Sequence, residues 1–220
     1  TSKTFYLNKS TYVNLRWIAI IGQLVAILFV EFFLNFKFNY FICILIILLS
    51  ILSNIYLHFK FKENQLNNSL STMYLSFDIL QLGTLFFLTG GITNPFIFLI
   101  IVPAVFSSQY LNIYSSILLV SLIILILSIL TFYYIDLPHP GKSNFNPPNY
   151  YLFAIPISII IGLLFLVYFG AKFGEENRIR KNAYDKIQEL MAKENELISL
   201  GAQSAAAAHS LGTPLSTILL

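Results

Sequence analysis

The chain has 220 residues, of which 57% are hydrophobic and only 10% are charged. Soluble domains average about 25% charged residues, so this composition excludes an ordinary water-soluble protein and predicts an integral membrane protein. The net charge is +3, and the single cysteine, Cys43, excludes an intrachain disulfide and a cysteine-based metal site.

Six apolar runs, taken in chain order, predict six membrane-spanning helices. A helix needs roughly 20 apolar residues to cross a hydrocarbon core about 30 Å thick, and such runs lie near 16–35, 40–59, 72–90, 96–111, 113–134 and 151–171. The fourth run contains Pro103, and only the segment Tyr110-Leu111-Asn112, at its end, divides it from the fifth. An alternative with five spans merges these two runs. It is rejected because it puts the first basic residues on the opposite face from the last helix.

Basic residues predict the orientation of these spans, because cytoplasmic segments of membrane proteins carry an excess of Lys and Arg. With six spans and both termini cytoplasmic, eleven basic residues lie inside and two, Lys37 and Lys142, lie outside. The eleven are Lys3, Lys9, Arg16, Lys60, Lys62, Lys172, Arg178, Arg180, Lys181, Lys186 and Lys193. The outer loop near 135–149 is rich in proline and too short to be a ligand-binding domain. Sensing is therefore expected within the bilayer or at its edge.

The composition becomes charged and rich in helix-forming residues after Gly174. Apolar residues there follow a helical spacing of three and four, interrupted by Glu194, at Ile187, Leu190, Met191, Leu197 and Ile198. This stripe predicts a short parallel coiled coil that leads out of the membrane. The alternative is a lone amphipathic helix that lies on the bilayer surface.

A histidine follows four alanines in the last segment, Ala205 to Leu215, which reads AAAAHSLGTPL. His209 and Thr213 are four residues apart and share one face of a helix. Pro214 lacks an N–H group and leaves the carbonyl of Ser210 unpaired, which predicts a bend beside the histidine. An unperturbed histidine has a pKa near 6.5 and is mostly neutral and nucleophilic in the cytoplasm. The alternative interpretation of His209 is a solvated histidine on an alanine-rich helix.

This segment resembles the H-box of sensor histidine kinases, and its Leu-Gly-Thr-Pro-Leu ending is similar to the RegB/PrrB/ActS family of redox-responsive kinases. The resemblance implies that His209 accepts the γ-phosphoryl group of ATP. It also implies that Thr213 helps to orient water during dephosphorylation of the partner regulator, and that Pro214 bends the helix. The family has an acidic residue after the histidine. This chain has Ser210, whose hydroxyl cannot act as a general base near neutral pH. Three alternatives follow: another carboxylate substitutes, autophosphorylation is slow, or the residue at 210 was changed.

A second motif, Gly-Gly-Ile-Thr-Asn-Pro-Phe at 90–96, connects the third and fourth runs on the outer side. Gly90 and Gly91 can adopt positive φ, and Asn94-Pro95 is a turn signal, so the residues alone favour a tight interfacial turn. The motif also resembles the GGxxNPF element that the same family associates with ubiquinone. Carried over, this makes Gly90, Gly91, Thr93, Asn94, Pro95 and Phe96 candidate cofactor-binding residues. Thr93, Asn94 and the 90–92 backbone would supply hydrogen-bond donors, and Phe87, Phe96 and Phe98 would supply apolar walls.

Looser matches to the family lie at Leu15-Arg16-Trp17 with Gly22-Gln23, and at Asp78 with Gln81. Charged groups within a membrane are costly and tend to pair. Asp78 and Arg16 both lie toward the inner leaflet, so they are predicted to pair between helices. The pair either holds the helices together or couples to a signal.

The sequence therefore predicts an all-α chain with a six-helix transmembrane sensor domain over 1–171. A cytoplasmic linker and coiled coil follow over 172–204, and a dimerisation and histidine-phosphotransfer helix starts over 205–220. The resemblance implies a homodimeric kinase in the bacterial inner membrane, surrounded by lipid, that senses redox state through ubiquinone and phosphorylates a response regulator.

This chain has no Gly-rich nucleotide loop, so ATP and Mg²⁺ are expected to bind a catalytic domain after Leu220, and the chain is not expected to be active alone. No metal site and no nucleic-acid partner are expected. The alternatives are a membrane transporter or channel, and a kinase whose membrane half contacts a respiratory complex instead of quinone.

Overall fold

The computed structural model describes residues 6–36, 38–61, 65–136 and 147–218, with side chains up to residue 208. Four of the basic residues used for orientation, Lys3, Lys37, Lys62 and Lys142, lie outside this set, as does most of the proline-rich loop. In chain order the elements are β1 (Tyr6–Asn8), α1 (Lys9–Phe32), α2 (Tyr40–Lys60), β2 (Gln65–Asn67), α3 (Asn68–Leu88), two 3₁₀ segments (Gly91–Thr93 and Ile97–Ile101), α4 (Val102–Tyr110), α5 (Ile113–Phe132) and α6 (Asn149–Ile218).

The chain is nearly all-α, as predicted, and in the part that the structure describes five helices are long and apolar enough to cross a membrane. They are α1, α2, α3, α5 and α6. These helices account for five of the six predicted spans and make the chain a multi-pass membrane protein.

The fourth span, predicted as one helix over 96–111, is shorter and broken. Five residues of 3₁₀-helix precede nine residues of α-helix, and together they rise by only about 24 Å. Pro103 lies in the first turn of α4. Proline is favoured there because its missing N–H needs no partner and its fixed φ suits a helix start. The proline therefore begins a new helix instead of kinking a continuous one.

A two-stranded sheet that the sequence analysis did not predict joins the beginnings of α1 and α3. β1 and β2 are antiparallel, and Leu7 lies opposite Leu66, with both side chains buried. The ammonium group of Lys9 donates hydrogen bonds to the carbonyls of His58 and Phe61 at the end of α2. We call this side of the bundle the sheet end and the side that carries Gly90 and Gly91 the glycine-loop end.

Among the residues that the structure describes, the core consists of two apolar clusters. The larger cluster packs α3, α4, α5 and α6 around fully buried side chains such as Ile79, Ile100, Leu127 and Leu163. The smaller cluster lies among α1, α2 and α3 and includes Ile47 and Cys43, which is fully buried.

The chain divides into two compact units, residues 1–174 and 175–220. In the second unit α6 continues to Ile218, and the apolar stripe that includes Ile187 and Leu197 is exposed. Glu189 forms ion pairs with Lys186 and Lys193 at 2.8 and 2.7 Å, which hold the pKa of its carboxyl below the usual range. The coiled coil and the three-part domain division remain predictions.

Candidate functional site

The glycine loop has the backbone that its sequence predicts. Gly90 and Gly91 have φ values of 104° and 55°, in the left-handed region that glycine adopts at little cost. The N–H group of Gly90 donates to the carbonyl of Ile135 at 3.1 Å, and the N–H group of Ile135 donates to the carbonyl of Phe87 at 2.9 Å. The loop is therefore fastened to the segment that follows α5.

Asn94 and Thr93 use their donors within the loop. The Asn94 amide donates to the carbonyl and hydroxyl oxygens of Thr89, both at 2.8 Å, and its Oδ1 accepts from the Phe96 N–H at 2.8 Å. The Thr93 hydroxyl donates to the Gly90 carbonyl at 2.6 Å. These two side chains brace the turn, and their sequence-based role as donors to a ligand remains a prediction.

The backbone N–H groups of Gly91 and Ile92 begin a 3₁₀ turn. The first N–H groups of a helix have no acceptor within it, so these groups are the donors that the local geometry leaves for another partner. Ile92 is buried, with 1% of its surface exposed. A partner that reached these groups would therefore meet an apolar surface.

Tyr134 lies against Gly91 and was missed by the sequence analysis. A Cβ atom on Gly91 would overlap the Cβ and Cγ atoms of Tyr134 and lie 2.8 Å from Cδ1. Burial, followed by the nearby charge of Asp136, raises the pKa of the Tyr134 phenol. The tyrosine follows the end of α5, and only the chain's return to the loop brings the two together, so no local sequence signal points to it.

An apolar groove begins near the loop and runs between α3 and α5. It has a volume of about 250 Å³ and is lined by Leu80, Gly83, Thr84, Phe87, Ile126, Ile129 and Leu130. Ligand pockets typically have volumes of about 300–1,000 Å³, so this groove is slightly smaller than a typical pocket. Phe87 is the one predicted wall residue that lines it, while Phe96 and Phe98 are exposed elsewhere. The groove has room for a chain-like apolar group instead of an enclosed ligand.

The predicted pair of Arg16 and Asp78 is confirmed, and it joins the first half of α1 to the middle of α3. The Nη2 and Nε atoms of Arg16 lie 2.7 and 3.0 Å from Oδ1 of Asp78. Tyr12 donates its hydroxyl to Oδ2 of Asp78 at 2.5 Å, and Arg16 also donates to the Ser53 hydroxyl on α2 at 3.3 Å. Both Asp78 oxygens thus have a partner, as a buried carboxylate requires.

Aromatic rings enclose the Arg16 guanidinium. Its Cζ lies 5.6 Å from the ring centres of Tyr12 and Tyr74 and 5.9 Å from that of Phe77, within the range of cation–π attraction. A second polar contact between α1 and α3 lies further along, where Gln81 donates to Gln23 at 2.9 Å. Both glutamines belong to the motifs described above, whereas no sequence pattern points to Tyr12 or Ser53.

The histidine segment lies on the last helix, whose backbone is helical through His209, Ser210, Thr213 and Pro214. The side chains of these four residues lie outside the part that the structure describes, so the roles assigned to them remain predictions. They belong to the second compact unit, while the glycine loop belongs to the first.

Comparison with known proteins gives one consistent result. Two curated proteins named sensor histidine kinase RegB, both from Cereibacter sphaeroides, are each 35% identical to this chain over 211 residues, which is 96% of its length. The chain spans about half the length of these relatives, since the alignment covers 46% of each. No family model matches the chain, and no solved structure matches it significantly.

The aligned region includes both the apolar bundle and most of the long last helix, because it leaves out only 4% of the chain. The resemblance that the motifs predict is therefore confirmed, since these 211 residues are similar to the matching part of the RegB sensor histidine kinases.

Proposed function

We propose that this chain is the membrane-embedded sensing part of a histidine kinase of a two-component system. The observation that supports this best is the similarity to RegB over 96% of the chain, together with the occurrence of two motifs, 90–96 and 205–215, in the same chain. The protein would be a homodimer in the bacterial inner membrane, with the sheet end and both termini cytoplasmic.

His209 would attack the γ-phosphorus of ATP. A nitrogen–phosphorus bond forms, the bond from the γ-phosphorus to the β–γ bridging oxygen breaks, and ADP leaves. ATP and Mg²⁺ would be held by a catalytic domain outside this chain, and the phosphoryl group would then pass to a response regulator. Thr213 would help to orient water during dephosphorylation, and Pro214 would bend the helix. Ser210 can hydrogen-bond to the imidazole but cannot take its proton, so another carboxylate would act as the base.

We further propose that ubiquinone binds at the glycine loop. Oxidised quinone presents two carbonyl acceptors, whereas the reduced form presents two hydroxyl groups, which donate and accept only more weakly. The N–H groups of Gly91 and Ile92 can only donate, so they favour the oxidised head group. The groove that ends at Phe87 would take the isoprenoid tail. A ligand shifts a conformational equilibrium only if it binds the two conformations with different affinity. The difference in hydrogen bonding between oxidised and reduced quinone would give the two forms different affinities for the loop.

The test uses the whole encoded protein in nanodiscs with labelled ATP and either oxidised or reduced quinone. We expect label on His209, no label in the His209→Gln variant, and a different extent of labelling with the two quinones. Equal label in the wild type and His209→Gln would overturn the kinase assignment. Equal labelling and equal affinity with both quinones would overturn only the quinone assignment and would favour contact with a respiratory complex.

A further inference from the structure

On the side of α6 that faces the core, the buried side chains become smaller toward the sheet end. Pro156, Leu163 and Gly170 are buried at intervals of seven residues, and Gly174 is buried one turn beyond. A seven-residue interval returns to nearly the same side of a helix. The core-facing side therefore changes from bulky residues to two glycines, which form a Gly-x-x-x-Gly pattern that the sequence analysis did not single out.

Both glycines contact α4 directly. A Cβ atom on Gly170 would overlap Oγ of Ser108 and lie 3.4 Å from the carbonyl oxygen of Val105. A Cβ atom on Gly174 would overlap the carbonyl oxygen of Gln109 and lie 2.9 and 3.0 Å from its Cα and C atoms. Small residues allow helix backbones to approach this closely. At Gly174 the neighbour is backbone, which cannot rotate out of the way.

The opposite side of α4 is fixed against the rest of the bundle. Ala104 and Ser107 are fully buried, and Ser107 lies 3.5 Å from the Ser116 hydroxyl on α5. Ser107 also donates to the carbonyl of Ala104 at 2.7 Å, which satisfies its hydroxyl within the helix. Because this side of α4 is held in place, a small displacement of α4 along its axis alters its contact with α6 without repacking the whole bundle.

The other end of α4 is continuous with the glycine loop. The 3₁₀ segment Ile97–Ile101 leads into α4 without an intervening turn, and the Ile97 N–H donates to the Asn94 carbonyl at 3.0 Å. Short 3₁₀ segments within a longer helix often mark hinges, and each residue that converts from 3₁₀ to α-helix shortens the rise by about 0.5 Å. A change at Asn94 can thus move α4 along its axis.

We propose that α4 transmits the state of the glycine loop to α6 through the backbone contacts at Gly170 and Gly174. These glycines are positioning residues that set where the first part of α6, the helix that also carries His209, lies against α4. The inference rests on the proposed kinase function for its output, but it does not depend on which ligand acts at the loop. Packed interfaces respond to sub-ångström shifts by switching between arrangements, and a contact without side chains has nothing flexible to absorb such a shift.

The first experiment measures the contact without reference to activity. Val105 and Leu166 line one groove between α4 and α6, whereas Leu164 is exposed and does not line it. In a background without other cysteines, we expect a short bifunctional maleimide to join Val105→Cys to Leu166→Cys within one chain. It should not join Val105→Cys to Leu164→Cys. Cross-links only between two copies would overturn the proposal and would assign the glycines to a dimer contact.

The second experiment compares three glycines of α6 in the whole encoded protein. Gly162 has no atom near the position of an added Cβ and is the matched control. We expect Gly174→Ala to change the label on His209 by about 5-fold or more, which is the lower bound of typical allosteric coupling. Gly170→Ala should change the label less, and Gly162→Ala should not change it. The same label for Gly174→Ala and wild type would overturn this inference alone, whereas no label in any protein would overturn the kinase assignment.

A compensating pair separates coupling from misfolding. The Oγ of Ser108 is the nearest atom to an added Cβ on Gly170, and Ser108→Ala removes that atom. We expect Gly170→Ala combined with Ser108→Ala to restore the wild-type label, and the same Ser108 change to leave Gly174→Ala unrepaired. Equal effects of Ser108→Ala on both variants would contradict the assigned contacts.

Discussion

Arg16 of α1 and Asp78 of α3 form an ion pair of 2.7 Å in which only 4% and 15% of the side chains are exposed. Each partner compensates the charge of the other, and Tyr12 and Ser53 satisfy further polar atoms of the pair. The pair joins three helices, because Ser53 lies on α2. A buried charge network of this kind is costly to break from one side only.

Replacing Asp78 by Asn should therefore lower the free energy of unfolding by about 3–5 kcal/mol, since it leaves the Arg16 charge buried without a counter-ion. Thermal unfolding in detergent measures the change. The matched control combines Arg16→Met with Asp78→Leu, which removes both charges and should cost less than either single change. A double variant as unstable as the sum of the singles would contradict a direct pair.

Replacing Gly91 by Ala should destabilise the glycine loop. Its φ of 55° costs an L-residue about 1–2 kcal/mol, and the new Cβ would overlap Tyr134. Gly22 serves as the control because it is helical and has open space around it, so Gly22→Ala should be neutral or stabilising by up to about 1 kcal/mol. Melting temperatures of the two variants measure the contrast, and equal values would refute the strain at Gly91.

Two substitutions at Asn94 separate its donors from its acceptor. Asn94→Ala removes the acceptor of the Phe96 N–H and should speed hydrogen exchange at that amide. Asn94→Asp keeps an oxygen at Oδ1, so the Phe96 amide should remain protected while the two bonds donated to Thr89 are lost. Hydrogen exchange followed by mass spectrometry measures the protection of the Phe96 amide in both variants. The assigned geometry fails if Asp and Ala leave the Phe96 amide equally exposed.

Asn68 links α3 to the turn between α4 and α5, and its replacement should loosen that turn. Its Oδ1 accepts from the Asn112 N–H at 3.0 Å, and its Nδ2 donates to the Ser115 hydroxyl at 2.8 Å. Asn68→Ala should cost about 1–3 kcal/mol, the desolvation penalty of an unsatisfied group. Asn68→Asp keeps the acceptor and should cost less. Chemical denaturation ranks the two variants, and the reverse order would contradict the assigned bonds.

Helix existence could be predicted from the sequence because the length of an apolar run alone decides whether a helix can cross a bilayer. Boundaries were less predictable: α1 begins at Lys9, earlier than position 16, because Asn8 caps it and β1 pairs with β2 just before it. The fourth segment was predicted, but its division into a 3₁₀ segment and a short helix was not, because a proline within an apolar run is compatible with both a kinked helix and a new helix start.

The candidate site, too, could be predicted from the sequence only in part. The positive φ of Gly90 and Gly91 and the pair of Arg16 with Asp78 follow from local chemistry, so they could be predicted. Tyr134 could not be predicted, because its contact with Gly91 depends on how the chain returns after α5. Gly170 and Gly174 did carry a sequence signal, their four-residue spacing, but their partner Gln109 lies far away in sequence.

The limited length of the fourth segment, about 24 Å against a hydrocarbon core of about 30 Å, creates a hydrophobic mismatch at one place on the perimeter of the bundle. Phe98 and Val102 are exposed there, so adjacent acyl chains must compress or tilt around this segment. Mismatch costs fractions of a kcal/mol per Å, and the cost rises as the surrounding bilayer thickens. Lipid composition therefore acts on this protein most strongly at its shortest crossing.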